Sequence, residues 1–141
     1  MNERTRALRD EHRELLERLQ PVRRVAQQLP SLDRAERAAA IARVVGFLQH
    51  EVVPHTRIDE RVLYPEVSLR AGDPLFTAPM NYDHLAIRRW VDEIEAADPS
   101  DTYRLQELVF GLLALIEVHT WKEDELLLVA LESSSWPALQ S

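Results

Sequence analysis

Apolar residues recur along this chain at spacings of three and four. Leu8, His12, Leu15, Leu16, Leu19 and Val22 form one stripe, and Ile41, Val44, Val45, Leu48, Val52, His55, Val62 and Leu63 form a second. His84, Ile87 and Val91 make a third, and Leu108, Leu112, Leu115, Ile116, His119, Leu126 and Leu127 a fourth. That period is the signature of an amphipathic helix with one buried face. Sustained alternation of period two is missing, so no sheet is expected. The pattern predicts helices near residues 2–29, 33–69, 80–97 and 102–132.

The breaks between stripes carry turn and cap chemistry. Pro30-Ser31 closes the first helix, and Asp33 with Glu36 reads as a capping box opening the second. The segment from Ala71 to Pro79 is the longest connection, and Asp98-Pro-Ser-Asp101 separates the last two helices, with Ser100 or Asp101 as the N-cap. Pro54, inside the second pattern, removes a backbone donor and should kink that helix just before His55. Tyr64-Pro65 is expected to end or bend the same helix. Short connections favour antiparallel neighbours, so the expected fold is all-α, an up-down-up-down antiparallel four-helix bundle. It is expected as a single domain over 1–141, with a short C-terminal tail from about residue 133 at Ser133-Ser-Ser-Trp-Pro137.

An internal two-helix repeat runs through the pattern. Asp10-Glu-His12-Arg-Glu-Leu matches Tyr82-Asp-His84-Leu-Ala-Ile. The run from His55 to Leu63 matches that from His119 to Leu127. Duplicated helix pairs would give approximate two-fold symmetry, and a site on that axis would take equivalent ligands from each half.

Composition narrows the function. The chain has 141 residues, enough to bury a core, and 45% of them are hydrophobic. A net charge of −7 argues against sequence-independent nucleic-acid binding. The many Arg of the N-terminal third alternate with Glu and Asp, as on a solvated helix face. Cysteine is absent, which excludes disulfides, thiolate metal sites and a Cys nucleophile and points to the cytoplasm. No apolar run reaches a membrane span, and the first residues lack the apolar core of a signal peptide.

The chemistry lies in two His-x-x-x-carboxylate spacings, His55 to Asp59 and His119 to Glu123. Positions i and i+4 share a helix face, so each spacing presents an imidazole beside a carboxylate. His12 and His84 each sit on the apolar face one helix earlier. A single His on such a stripe is ordinarily a hydrogen-bonded core residue; here four of the five His occupy the same kind of place. Asp59 and Glu123 would otherwise be charges facing a core, which is costly without partners. His12, His55, Asp59, His84, His119 and Glu123 together make a ligand set for two metal ions, with the carboxylates able to bridge and one position open for a small ligand. Nitrogen and oxygen donors suit iron, and zinc or manganese as well. His50 reads as a surface His. Glu51 is either an extra ligand or, more economically, a solvated carboxylate, and Trp90, Trp121 and Tyr64 read as packing residues. No separate acid-base residue is evident on the site faces.

The ordered set, with an acidic residue before His12 and His84 and Val62-Leu-Tyr-Pro65 after the second His, resembles the hemerythrin-like (HHE cation-binding) family over nearly the whole chain. The resemblance implies a four-helix bundle with a non-heme di-iron centre that binds O2, senses oxygen or iron, responds to NO or breaks down peroxide. Two residues depart from the family pattern. Asp59 stands where Glu is usual, leaving either Asp59 or Glu60 to bridge. Arg88 stands one turn after His84, where the oxygen carriers have another His, which favours an open, reactive centre over reversible carriage. The expected function is a small-ligand di-iron protein handling O2, NO or H2O2, with peroxide decomposition as its enzymatic form. The alternative is an iron- or oxygen-responsive regulatory module acting through a protein partner, and a metal-free bundle ranks last.

Overall fold

The computed structural model describes residues 2–132; the expected tail from Ser133 lies outside them. Among the described residues every regular element is helical. The first helix is Glu3–Arg18 continued by Gln20–Gln28 and a short 3₁₀ turn, Leu29–Ser31. The second runs from Arg34–Phe47 to Tyr64–Ala71, the third is Ala78–Ala96, and the fourth begins with Thr102–Lys122 and ends with Leu128–Glu132. The start of the first helix packs on the end of the fourth, and its second half packs on the beginnings of the second and fourth. The third packs between the second and fourth. This is the expected antiparallel four-helix bundle.

The caps follow the sequence. Asp33 and Glu36 form the reciprocal capping box, and Asp101, not Ser100, accepts from the Arg104 amide at 3.0 Å. The second helix closes at Gly72, whose φ of 69° is the left-handed conformation that glycine adopts without a Cβ penalty. The first helix departs from expectation. It is interrupted at Leu19, where the next segment restarts with Pro21 in its first turn, a position that needs no amide donor.

The second and fourth helices are not uniformly α. Wide π turns occupy Leu48–Val52, Asp59–Leu63 and Glu123–Leu127. The first two each end immediately before a Xaa-Pro pair. Val53 donates to the Leu48 carbonyl and Tyr64 to that of Asp59, so the ladder continues across Pro54 and Pro65 with a widened turn. The kink expected at Pro54 therefore takes the form of a π turn, and Tyr64-Pro65 does not end the helix. The extra residue also resets the inward register. Val62 and Leu126, both placed on buried stripes by spacing, are more than half exposed, while Leu63 and Leu127 are buried.

The core falls into two apolar clusters. The larger includes Leu15–Leu29 of the first helix, Ile41–Val52 of the second, Ile87–Ile94 of the third and Leu105–Ile116 of the fourth. The smaller includes Leu63, Tyr64, Val67, Met80, Leu127 and Leu131. Along each helix the inward-facing residues between these clusters include polar ones: His12, His55 with Asp59, His84, and His119 with Glu123. Trp90 lies over Gly111, where a Cβ would meet its ring at 3.4 Å, as expected of a packing residue, but Trp121 is 63% exposed.

Replacing Asp33 by Ala should remove one cap and cost about 1 kcal/mol, read as a lower urea midpoint with unchanged denaturant dependence. An unchanged midpoint would show that the capping box contributes nothing in this fold.

Candidate metal centre

The polar layer contains four imidazoles in two pairs, one pair from each half of the repeat. His12 and His55 meet edge to face with ring centres 5.5 Å apart, and His84 and His119 lie 4.6 Å apart. The carboxylates lie between the pairs. Asp59 Oδ2 is 3.3 Å from His55 Nε2 and 4.0 Å from His84 Nε2. Glu123 Oε1 is 2.5 Å from His119 Nε2, and its Oε2 is 3.9 Å from His12 Nε2. Each carboxylate thus reaches an imidazole of both pairs. Asp59, His84, His119 and Glu123 bring one donor atom apiece within 4.8 Å of one another.

All four helices supply a residue, and the local sequence explains how. The i, i+4 spacing stacks His55 over Asp59 and His119 over Glu123. A π turn starts at each of these carboxylates, and such widened turns are frequent at functional sites. That the same irregularity follows both carboxylates is the repeat made visible in the backbone.

Outer carboxylates orient the rings. His12 Nδ1 bonds Asp124 Oδ1 at 2.6 Å, and His119 Nδ1 bonds Asp83 Oδ2 at 2.9 Å, with Lys122 holding Asp83 at 2.6 Å. This leaves each Nε2 facing the cluster, the arrangement that carboxylates impose on ligating His. Glu60 stands 3.6 Å from His84 Nδ1 and forks onto Arg88. Glu60 is thus an outer residue, and Asp59 is the one that faces the cluster. Glu51 pairs with Arg18 at 2.8 Å, half-exposed, and does not reach the centre. His50 is exposed and bonds the Gly46 carbonyl.

Tyr64 corrects the sequence reading. It was expected to be a packing residue, and no acid-base group was expected on the site faces. Its ring does pack in the smaller cluster, but its hydroxyl lies 2.9 Å from His84 Nε2 and 3.3 Å from His119 Nε2. A buried Tyr needs a partner for its hydroxyl, and the repeat offered a further signal, because its counterpart is the apolar Leu128. Asp83 and Asp124 were likewise missed as ring partners, although each is adjacent in sequence to a site residue.

Electrostatics of the protein alone show a layer under strain of charge. Burial, with Glu123 beside it, pushes the Asp59 carboxyl up to about 9. Burial and the neighbouring His119 push His84 down to about 4, and burial lowers His55. Burial opposes the charged form of His119, but the close Glu123 carboxylate and the bond to Asp83 win and raise it. Glu123 is lowered because His119, with His12 and His55, outweighs its own burial. Among the described residues, the buried side-chain polar atoms left without a hydrogen bond are His12 Nε2, His55 Nε2, Asp59 Oδ2, His84 Nδ1 and both Glu123 oxygens. All belong to this layer. Buried polar atoms are normally satisfied; His84 Nδ1 faces Glu60 outside the cluster, while the unsatisfied atoms of His12, His55, Asp59 and Glu123, crowded with the Nε2 atoms of His84 and His119 that lie 2.9 Å apart, fit a cation.

Residues 4–131 match the model of the hemerythrin HHE cation binding domain. The chain belongs to that family. No match was found among curated proteins or among solved structures. The cation binding named in the family's description accords with the donor chemistry of the buried layer. Membership also agrees with the all-helical four-helix bundle. No helix among the described residues is long and apolar enough to cross a membrane.

The shifted groups set a pH dependence for the metal-free protein. Asp59 ionises near 3.8 unfolded and near 9 folded, so the folded state holds the extra proton and stability falls as pH rises across that window. His119, raised from 6.5, pushes in the same direction above that value. His84 and His55 are lowered and cost stability only as pH falls below 6.5. The metal-free protein should therefore lose stability between about pH 6.5 and 9, and Asp59→Asn should flatten that slope by up to about 1.4 kcal/mol per pH unit. Urea midpoints across this range check it; equal slopes in the two proteins would contradict the assignment.

Proposed function

We propose that this protein is a non-heme di-iron protein that binds or reacts with a small ligand of the O2, NO or H2O2 class. The observation that carries this reading is the position of the two carboxylates, each within 4.0 Å of an imidazole from both halves of the repeat. In this reading His12, His55, His84 and His119, with the carboxylates of Asp59 and Glu123 between them, would hold two ions. Iron bound there supplies the redox chemistry and a position for the small ligand.

The protein's own residues do the rest. Asp124 and Asp83 hold His12 and His119 with their Nε2 atoms inward. The two apolar clusters shield the layer from water on both sides. His55 is the most open of the four rings, with its side chain 23% exposed, and marks the edge at which a small molecule enters. Tyr64 keeps its proton, because burial and the surrounding carboxylates raise its phenol. Its hydroxyl is a fixed donor at the centre, able to hydrogen-bond a small ligand or pass it a proton.

Anaerobic reconstitution with Fe(II) should load the wild-type protein, and Glu123→Gln should load markedly less. Tyr64→Phe should keep its iron but consume peroxide more slowly, on the order of 10²-fold for loss of a positioned proton donor. Full loading of Glu123→Gln would remove Glu123 from the ligand set. An unchanged peroxide rate in Tyr64→Phe would remove the hydroxyl from the chemistry.

A further inference from the structure

The two halves of the repeat treat equivalent His residues differently. His12 Nδ1 bonds Asp124, the residue after Glu123, at 2.6 Å. The counterpart of Asp124 is Glu60, the residue after Asp59, and the counterpart of His12 is His84. His84 Nδ1 is buried without a hydrogen bond, and Glu60 Oε1 stands 3.6 Å away, outside bonding range but as its facing acceptor. What holds Glu60 there has no equivalent in the other half. Arg88 grips it with two parallel bonds of 3.1 and 3.2 Å and also donates to Thr56 Oγ1 at 3.2 Å. The residue matching Arg88 in the first half is Leu16.

A Glu side chain is longer than Asp and loses more rotamer freedom when fixed. Glu60 is also 24% exposed, so by itself it would turn toward water. Arg88 is only 17% exposed, and its planar fork gives Glu60 one orientation. Thr56 is fixed in turn by donating to the Val53 carbonyl at 2.7 Å. The chain of contacts therefore runs from the second-helix backbone through Thr56, Arg88 and Glu60 to the His84 ring. We propose that Arg88 is a positioning residue, holding Glu60 as the acceptor that orients His84 in the polar layer.

The inference takes its consequence for metal from the di-iron reading, but one arm of the test stands without it. In the metal-free protein, imidazole ¹⁵N–¹H NMR of Arg88→Met should show moved His84 ring signals and unmoved His12 signals, with the far-UV spectrum of the wild type. Arg88→Lys, which retains charge but not the fork, should move the same signals and covers the case in which Met does not fold. In the metal arm, Arg88→Met and Glu60→Ala should each weaken binding of one Fe(II) by about 10–100-fold, the usual cost of losing an outer-shell partner. The double variant should lose no more than the worse single one, because the two act through one contact. Unmoved His84 signals, or unchanged or tighter iron binding in Arg88→Met, or additive losses, would overturn the proposal. Wild-type protein that takes up no iron would overturn the di-iron reading instead, while the NMR arm still decides the role of Arg88.

Discussion

The constraint on which this structure turns is a layer of ionisable side chains buried between two apolar clusters. His12, Asp59, His84, His119 and Glu123 are almost wholly excluded from solvent. Removing such groups from water is expensive unless something compensates them. The outer carboxylates Asp83 and Asp124 compensate two rings, and Tyr64 a further contact, yet unpaired atoms remain on both bridging candidates. The apolar helix faces make the bundle, and the polar layer makes it specific. The four helices must stay in register for donors from all four to meet.

Most of the fold was legible because helical periodicity, caps and turn residues agree with one another. The Asp33–Glu36 capping box and the connection through Gly72 follow directly from residue types. What could not be read was the π turns. A single widened turn changes which of two adjacent apolar residues faces inward, and Val62-Leu63 and Leu126-Leu127 offer both choices. The interruption at Leu19 was missed for a similar reason, since the apolar stripe continues through it.

The site was legible as far as helical spacing and the repeat carry it. His and carboxylate at i and i+4 share a face whatever the tertiary structure, so the two pairs were visible in the chain. Contacts between helices were not. Tyr64 reaches His84 and His119 from a different helix, and Arg88 reaches back from the third helix to Glu60 on the second. Spacing along one helix does not contain those distances. The repeat gives a way to find such groups afterwards, because Tyr64 and Arg88 are among the positions at which the two halves differ in chemical type, their counterparts being Leu128 and Leu16.

Membership of the HHE cation-binding family and the close-set donors of Asp59, His84, His119 and Glu123 both speak for a cation in the bundle. The most direct test is anomalous diffraction at the iron edge from crystals of protein reconstituted with Fe(II). The account predicts two peaks per chain inside the bundle, both within bonding distance of Asp59 and Glu123, one flanked by His12 and His55 and the other by His84 and His119. No peak there, or iron held only at surface carboxylates, would contradict it.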